Sequence, residues 1–145
     1  MARVYELGIR ESKEAERQSV SQAFFESSAG VNGDDLHKGS KHGVSLLAKE
    51  SMDRIAAAGI DGLCTRRFYA NIVTEGLDIF LLPAGAKLKV GGVTLLITQT
   101  GKPCWKSDGC AIAEAGIDCV LRNEAVFASV IDGGTIYTGD EVATA

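Results

Sequence analysis

The chain has no pair of cysteines two residues apart, and its only two histidines, His37 and His42, sit far upstream of Cys104. Structural zinc sites use tight ligand pairs because each pair closes a small chelate loop, so this pattern argues against zinc. No apolar run approaches the ~18 residues of a membrane span, and the opening MARVYELGIRESKEAER has no apolar signal-peptide core. A cytoplasmic protein with no membrane partner is therefore expected. In that compartment thiols stay reduced, so Cys64, Cys104, Cys110 and Cys119 are not read as a disulfide framework. Positive charge is not in excess. The net charge of −4 argues against a general nucleic-acid binder, which needs a basic stripe to meet phosphates. A Rossmann glycine fingerprint, iron–sulfur cysteine spacing and a haem motif are all missing, so nothing in the chain would supply electrons internally.

What remains is a chain of 145 residues, enough for a single domain over 1–145 with a real core. Its pattern is mainly β with few helices. RVYELGI (3–9) alternates as a half-buried strand should, and SVSQAFFESS (19–28) reads as a second strand, with a helix as the alternative. LLAKESMDRIAAAG (46–59) reads as the one clear helix, with Leu47, Ala48, Met52, Ile55 and Ala56 on one apolar stripe and Gly59 as its stop. AKLKVGGVTLLIT (86–98) reads as a hairpin turning at Gly91-Gly92, and AVFASVIDGGTIYTGDEVAT (125–144) as a second, turning at Asp132-Gly133-Gly134. Many short strands joined by glycine turns imply a closed or strongly curved β-barrel, because closure removes exposed edges.

Three clusters could carry chemistry. In GKPCWKSDGC (101–110), Lys102 and Lys106 flank Cys104 and favour its thiolate, the form that binds a soft metal or carries sulfur. The other reading of Cys104 is a plain buried thiol. Cys110 shares the loop as a possible resolving partner. In LCTRRFYANIVTEG (63–76), Arg66 and Arg67 would face opposite sides of an extended backbone, one reaching a site with its bidentate fork while the other is solvated. Asn71 stands in a run that otherwise looks buried and needs partners, either a ligand or neighbouring backbone. NGDDLHKGSKHG holds two aspartates, Asp34 and Asp35, and two histidines, His37 and His42, in a metal-binding loop or in an ordinary glycine-rich turn.

Taken in order, N-I-x-T-E-G-L-D (71–78), T-Q-x-G-K-x-C (98–104) and G-G-x-I-x-x-G-D-E-V (133–142) resemble the motifs of the MOSC domain family, the molybdenum-cofactor sulfurase C-terminal-like domain. The likeness runs from about Gly30 to Val142. It implies a β-barrel of the MOSC type that binds the molybdenum cofactor (molybdopterin) or handles sulfur destined for it. The family cysteine falls on Cys104, which the resemblance makes the molybdenum ligand or the carrier of a persulfide. Lys102 would then meet an anionic cofactor and Arg67, with Arg66 beside it, the cofactor's phosphate. Asp34 and Asn71 fall in segments that the family uses around its pocket. Two departures stand out. Where small members continue into M-P-R-E-G, this chain has Arg122 at the proline position and Asn123 at the arginine position. Where a histidine is expected soon after G-D, Leu36 stands and His37 follows.

Two functions follow from the resemblance, beside a third reading in which the altered LRNEAV stretch (121–126) marks a barrel that keeps the fold but has lost its ligand. One is a carrier that delivers cofactor or sulfur to a partner molybdoenzyme. The other is a molybdenum-dependent oxidoreductase reducing N-hydroxylated compounds with an external reductase partner. The chain is too short to house the pyridoxal phosphate chemistry of a cysteine desulfurase, so a desulfurase partner would be the sulfur donor.

Overall fold

The structure, a computed structural model, describes residues 2–9, 18–27, 30–31, 43–58, 70–100 and 124–144. Among them the strands are β1 (Arg3–Ile9), β2 (Gln18–Val20), β3 (Gln22–Glu26), β4 (Gly30–Val31), β5 (Val44–Ala48), β6 (Ile72–Glu75), β7 (Lys87–Val90), β8 (Val93–Thr100), β9 (Val126–Asp132), β10 (Gly134–Tyr137) and β11 (Val142–Thr144). One helix, α1 (Lys49–Ala58), follows β5, and a single 3-10 turn spans Ile79–Leu81. Eight strands form one sheet in the order β11-β7-β8-β9-β5-β6-β1-β2, and three form another in the order β10-β3-β4. Every pairing is antiparallel except β5 with β6. Parallel neighbours need a long crossover, and the connection from Ala48 to Ile72, which contains α1, supplies it.

The core is aliphatic. Val4, Leu7, Leu46, Ile72, Leu88, Leu95, Ile97 and Val126 of the large sheet pack with Phe25 and Ile136 of the small one. Each such side chain contributes on the order of 2 kcal/mol through burial. A smaller cluster of Leu47, Ala70, Val73 and Ala125 lies on β5, β6 and the residues that lead into β6 and β9.

The expected closed or strongly curved barrel is corrected. Among the described residues the large sheet ends in two strands with one neighbour each: β11 pairs only with β7, and β2 only with β1. Closure needs a continuous ladder between end strands, whereas β1 meets residues 139–142 through one isolated bridge, Arg3 to Glu141, and a few backbone bonds around it. The fold is a mixed, mainly β arrangement with one helix.

The glycines explain the difference. Gly91 takes φ +57° and does close the β7–β8 hairpin, where Val90 pairs with Val93. Gly133 instead hands the chain from one sheet to the other. It passes so near the Phe25 carbonyl that a Cβ would collide with it, and β10 then pairs with β3 rather than returning along β9. The expected second hairpin is therefore not formed.

Two further expectations shift. The run 19–28 breaks at Ser21, with β2 in the large sheet and β3 in the small one. The helix expected from Leu46 begins only at Lys49. Val44–Ala48 is a strand buried on both faces, and its last three residues, Leu46–Leu47–Ala48, merge in sequence with the helix behind them. On α1 itself Ser51 is fully buried while Met52 is 38% exposed, because Ser51 has a polar partner below it.

Candidate functional site

Of the residues given a chemical role from the sequence, Asn71 alone lies among those described. Cys104, Lys102, Arg66, Arg67, Asp34, His37 and Arg122 lie outside them. Three strand ends bordering their segments, the start of β6, the start of β9 and the end of β8, are fastened by side chains.

Asn71 stands at the entrance to β6 and is 1% exposed. Its backbone N–H donates to the Ser45 carbonyl (2.9 Å), and its side-chain Oδ1 accepts from the Ser45 N–H (3.1 Å). Its carbonyl accepts from the Gly8 N–H (2.9 Å), while Nδ2 donates to the Gly8 carbonyl (3.0 Å). Backbone and side chain thus make one bond each to β5 and to β1. The amide replaces ladder bonds that the irregular start of β6 does not make. The Ser45 hydroxyl adds to the same knot, lying 3.2 Å from Oδ1 and 3.1 Å from the Asn71 N–H. This knot holds the point where the Arg66–Arg67 segment joins the sheet.

Glu124 does the same for β9. It is only 14% exposed at its side chain, and Oε1 accepts from the Ser51 hydroxyl (2.7 Å) and from the Arg54 guanidinium. The Arg54 guanidinium in turn lies 5.6 Å from the centre of the Phe80 ring. Helix α1 thereby grips the residue just after Arg122 and Asn123. At the far end of β8, Thr98 and Thr100 donate to the carbonyls of Phe127 (3.1 Å) and Leu82 (3.0 Å). Sequence reasoning missed Ser51, Arg54 and Glu124. The one available signal was that Glu124 stands where the family stretch M-P-R-E-G carries its glutamate.

Register relates these ends. Val44 pairs with Ala128, and Thr100 with Val126. The start of β5 and the end of β8 are thus about 7 Å apart along the strands and about 10 Å across them, with β9 between. Asn71 lies beside Ser45 at the same end as the start of β5.

Elsewhere, Lys49 pairs with Asp53 (3.0 Å) and lies 5.1 Å from the centre of the Tyr5 ring. The Asp53 hydrogen bond raises the Lys49 pKa above its ordinary value, against a smaller opposing effect of burial. Among the described residues no group of His, Cys, Asp and Glu could hold a metal ion, so a metal-binding thiolate has to come from outside them. A pocket of about 200 Å³ between the two sheets is lined by Ile9, Val20, Gln22, Ala23, Phe24 and Thr135, none of which is a Cys, His, Asp or Glu. No helix among the described residues is long and apolar enough to cross a membrane.

The family model of the MOSC domain matches residues 33–143. The chain belongs to the MOSC domain family. Among solved structures, the YuaD protein of Bacillus subtilis is similar at a TM-score of 0.69 and 19% identity, over 97% of this chain and 93% of that one. YiiM from Geobacillus stearothermophilus has a TM-score of 0.66 and 14% identity, over 100% and 75% of the two chains. YiiM from Escherichia coli has 0.60 and 16%, over 99% and 69%. No curated protein matches.

Two of the three motifs of this MOSC domain are structural where they are described. In N-I-x-T-E-G-L-D, Asn71 ties three strands, Ile72 and Thr74 are fully buried, Glu75 pairs with Arg3 (3.0 Å), and the Gly76 N–H donates to Glu50 (3.2 Å). In G-G-x-I-x-x-G-D-E-V, Asp140 accepts from the Tyr137 N–H (2.9 Å) and abuts Gly91, while the Gly91 N–H donates to the Glu141 carbonyl (2.9 Å). That motif locks the end of the chain onto the β7–β8 turn. T-Q-x-G-K-x-C differs, because its threonines fasten a strand end and its lysine and cysteine follow beyond it.

Proposed function

We propose that this MOSC domain holds the molybdenum cofactor, or a persulfide sulfur destined for it, on the Cys104 thiolate and delivers it to a partner molybdoenzyme. The observation that carries this reading is the T-Q-x-G-K-x-C motif, ending on a cysteine flanked by Lys102 and Lys106, inside the matched span. The donor chemistry fits the group: a polarizable thiolate suits molybdenum or sulfane sulfur, and the lysines favour both the thiolate and an anionic ligand. The cofactor when bound supplies the metal and its dithiolene pterin.

In this reading Lys102 and Arg67 meet the anionic parts of the cofactor, with Arg66, Asp34, His37 and Arg122 as further contacts. Asn71 has both ends of its amide committed to Ser45 and Gly8, which supports a role in holding the Arg66–Arg67 segment. A shared site requires the segment beyond Thr100 to reach back over β9 toward the start of β5, a span of about 12 Å that four extended residues cover. Sulfur, where it is the cargo, comes from a cysteine desulfurase partner.

The test is to purify the chain anaerobically from a cofactor-producing host and measure molybdenum by elemental mass spectrometry and pterin by oxidative fluorescence. Loaded protein is then mixed with a cofactor-free molybdoenzyme, and separately with N-hydroxylated substrate and a reductase. The carrier reading expects activity to appear in the recipient enzyme. Turnover of the N-hydroxylated substrate would make the chain the oxidoreductase instead. Absence of metal, pterin and a Cys104 persulfide would overturn both.

A further inference from the structure

The pocket between the two sheets is lined by residues that take no part in the Cys104 reading, and their chemistry is consistent. β3 alternates, so Gln22 and Phe24 share one face of the small sheet while Ala23 and Phe25 share the other. Thr135 pairs with Phe24 and Tyr137 with Gln22, which brings all four of these side chains to one face. The other face sends Phe25 and Ile136 into the core. Ile9, Val20 and Ala23 pack against that core, so the pocket has an apolar floor held in place from beneath.

At the rim, Phe24 is 47% exposed and Tyr137, on the same face, 50%. An exposed aromatic ring beside a cavity in a well-packed sheet offers a large apolar face at little cost in rotamer freedom. Among the described residues neither the Gln22 amide nor the Thr135 hydroxyl makes a side-chain hydrogen bond. The amide presents a donor and an acceptor side by side, and the hydroxyl can act as either. No charged side chain lines the pocket, so nothing there would offset the desolvation of an ion. The volume, about 200 Å³, lies below the ~300–1,000 Å³ of pockets for drug-sized ligands and suits one or two rings.

We propose that this pocket binds a small neutral aromatic heterocycle, stacked on Phe24, whose lactam-type N–H and C=O edge meets the Gln22 amide and the Thr135 hydroxyl. The site stands without the cofactor reading.

The experiment titrates the isotope-labelled full-length chain with carbostyril, a neutral two-ring lactam, and follows amide chemical shifts by NMR. Quinoline, of nearly the same shape but with no donor, and benzoate, an anion, are the controls. Carbostyril should give saturable shifts at Val20, Phe24 and Thr135 with a Kd at or below about 1 mM. Quinoline should bind about fivefold more weakly, and benzoate should not bind at the same concentrations. Phe24→Ala should weaken carbostyril about fivefold, and Gln22→Leu or Thr135→Val should bring it to the level of quinoline. Phe24 and Gln22 are exposed, so their variants keep the fold, which unchanged shifts in the large sheet verify. No saturable shift with carbostyril overturns the proposal, as does equal binding of benzoate or binding that Phe24→Ala leaves intact. Shifts at the same residues that grow with protein concentration alone would make this face a contact between copies of the chain, and would overturn the ligand site.

Discussion

Replacing Asn71 by alanine removes an amide that serves two buried backbone groups at once. The Ser45 N–H loses its acceptor at 3.1 Å and the Gly8 carbonyl its donor at 3.0 Å. Ser45 and Asn71 are 2% and 1% exposed, so water does not readily substitute. Leaving a buried polar group unpaired costs about 1–3 kcal/mol, so the two together should lower stability by about 3 kcal/mol. For a domain near this size that is a fall in Tm of about 6–12 °C. Urea and thermal unfolding followed by circular dichroism would measure it. Asn71→Asp sharpens the test. One oxygen still accepts from Ser45, but the other faces the Gly8 carbonyl with no proton to give. Burial raises such a carboxyl's pKa above its unfolded value, so stability is lost as pH rises through the folded pKa. The deficit relative to wild type should therefore shrink as pH falls, when the protonated acid donates to Gly8. An Asn71→Ala variant within about 0.5 kcal/mol of wild type, the range of ordinary surface substitutions, would refute the reasoning.

The α1 clasp makes Ser51→Ala and Glu124→Ala non-additive. Each should cost about 1 kcal/mol, and the double variant should cost clearly less than their sum in denaturant melts, because both cut the same bond. Gly91→Ala should destabilise by about 1–2 kcal/mol, combining strain at positive φ with a collision against Asp140. Measured against Asp140→Ala alone, which loses the bond from the Tyr137 N–H, Gly91→Ala should cost only the strain, again read by unfolding. Asp53→Asn should lower the Lys49 pKa toward its ordinary value by NMR titration, since the Asp53 hydrogen bond is the largest cause of its rise. A raised lysine pKa contributes stability that is fully present below the unfolded pKa and is lost as pH rises through the folded one. The effect of Asp53→Asn on Tm should accordingly be flat through neutral pH.

How far the sequence carried depended on whether a feature was local. β1 and the β7–β8 hairpin were legible because alternation and a Gly-Gly turn act over a few residues. Leu46–Ala48 of β5 were absorbed into the helix because three apolar residues buried on both faces have no period of their own, and no breaker separates Ala48 from Lys49. The path of β10 was hidden because its partner, β3, lies more than a hundred residues earlier in the chain. The barrel expectation failed for the same reason: glycine turns announce strand ends, not which strands meet. At the site, Asn71 was recognisable as a polar residue needing partners, but only the fold shows that these are Ser45 and Gly8. The clasp of Ser51, Arg54 and Glu124 joins residues about seventy positions apart and has no local signature. The family itself was legible because its motifs depend on order along the chain, which sequence shows directly.

The most direct test of the central claim is a side-by-side measurement of molybdenum and pterin in wild type and Cys104→Ala, both purified anaerobically from a cofactor-producing host. The account predicts near-stoichiometric metal and pterin, or a Cys104 persulfide, in wild type, with the metal or the persulfide lost in the variant while the fold is kept. Equal metal and pterin in both proteins would contradict the assignment of Cys104, and none of these in the wild type would contradict the cofactor reading itself.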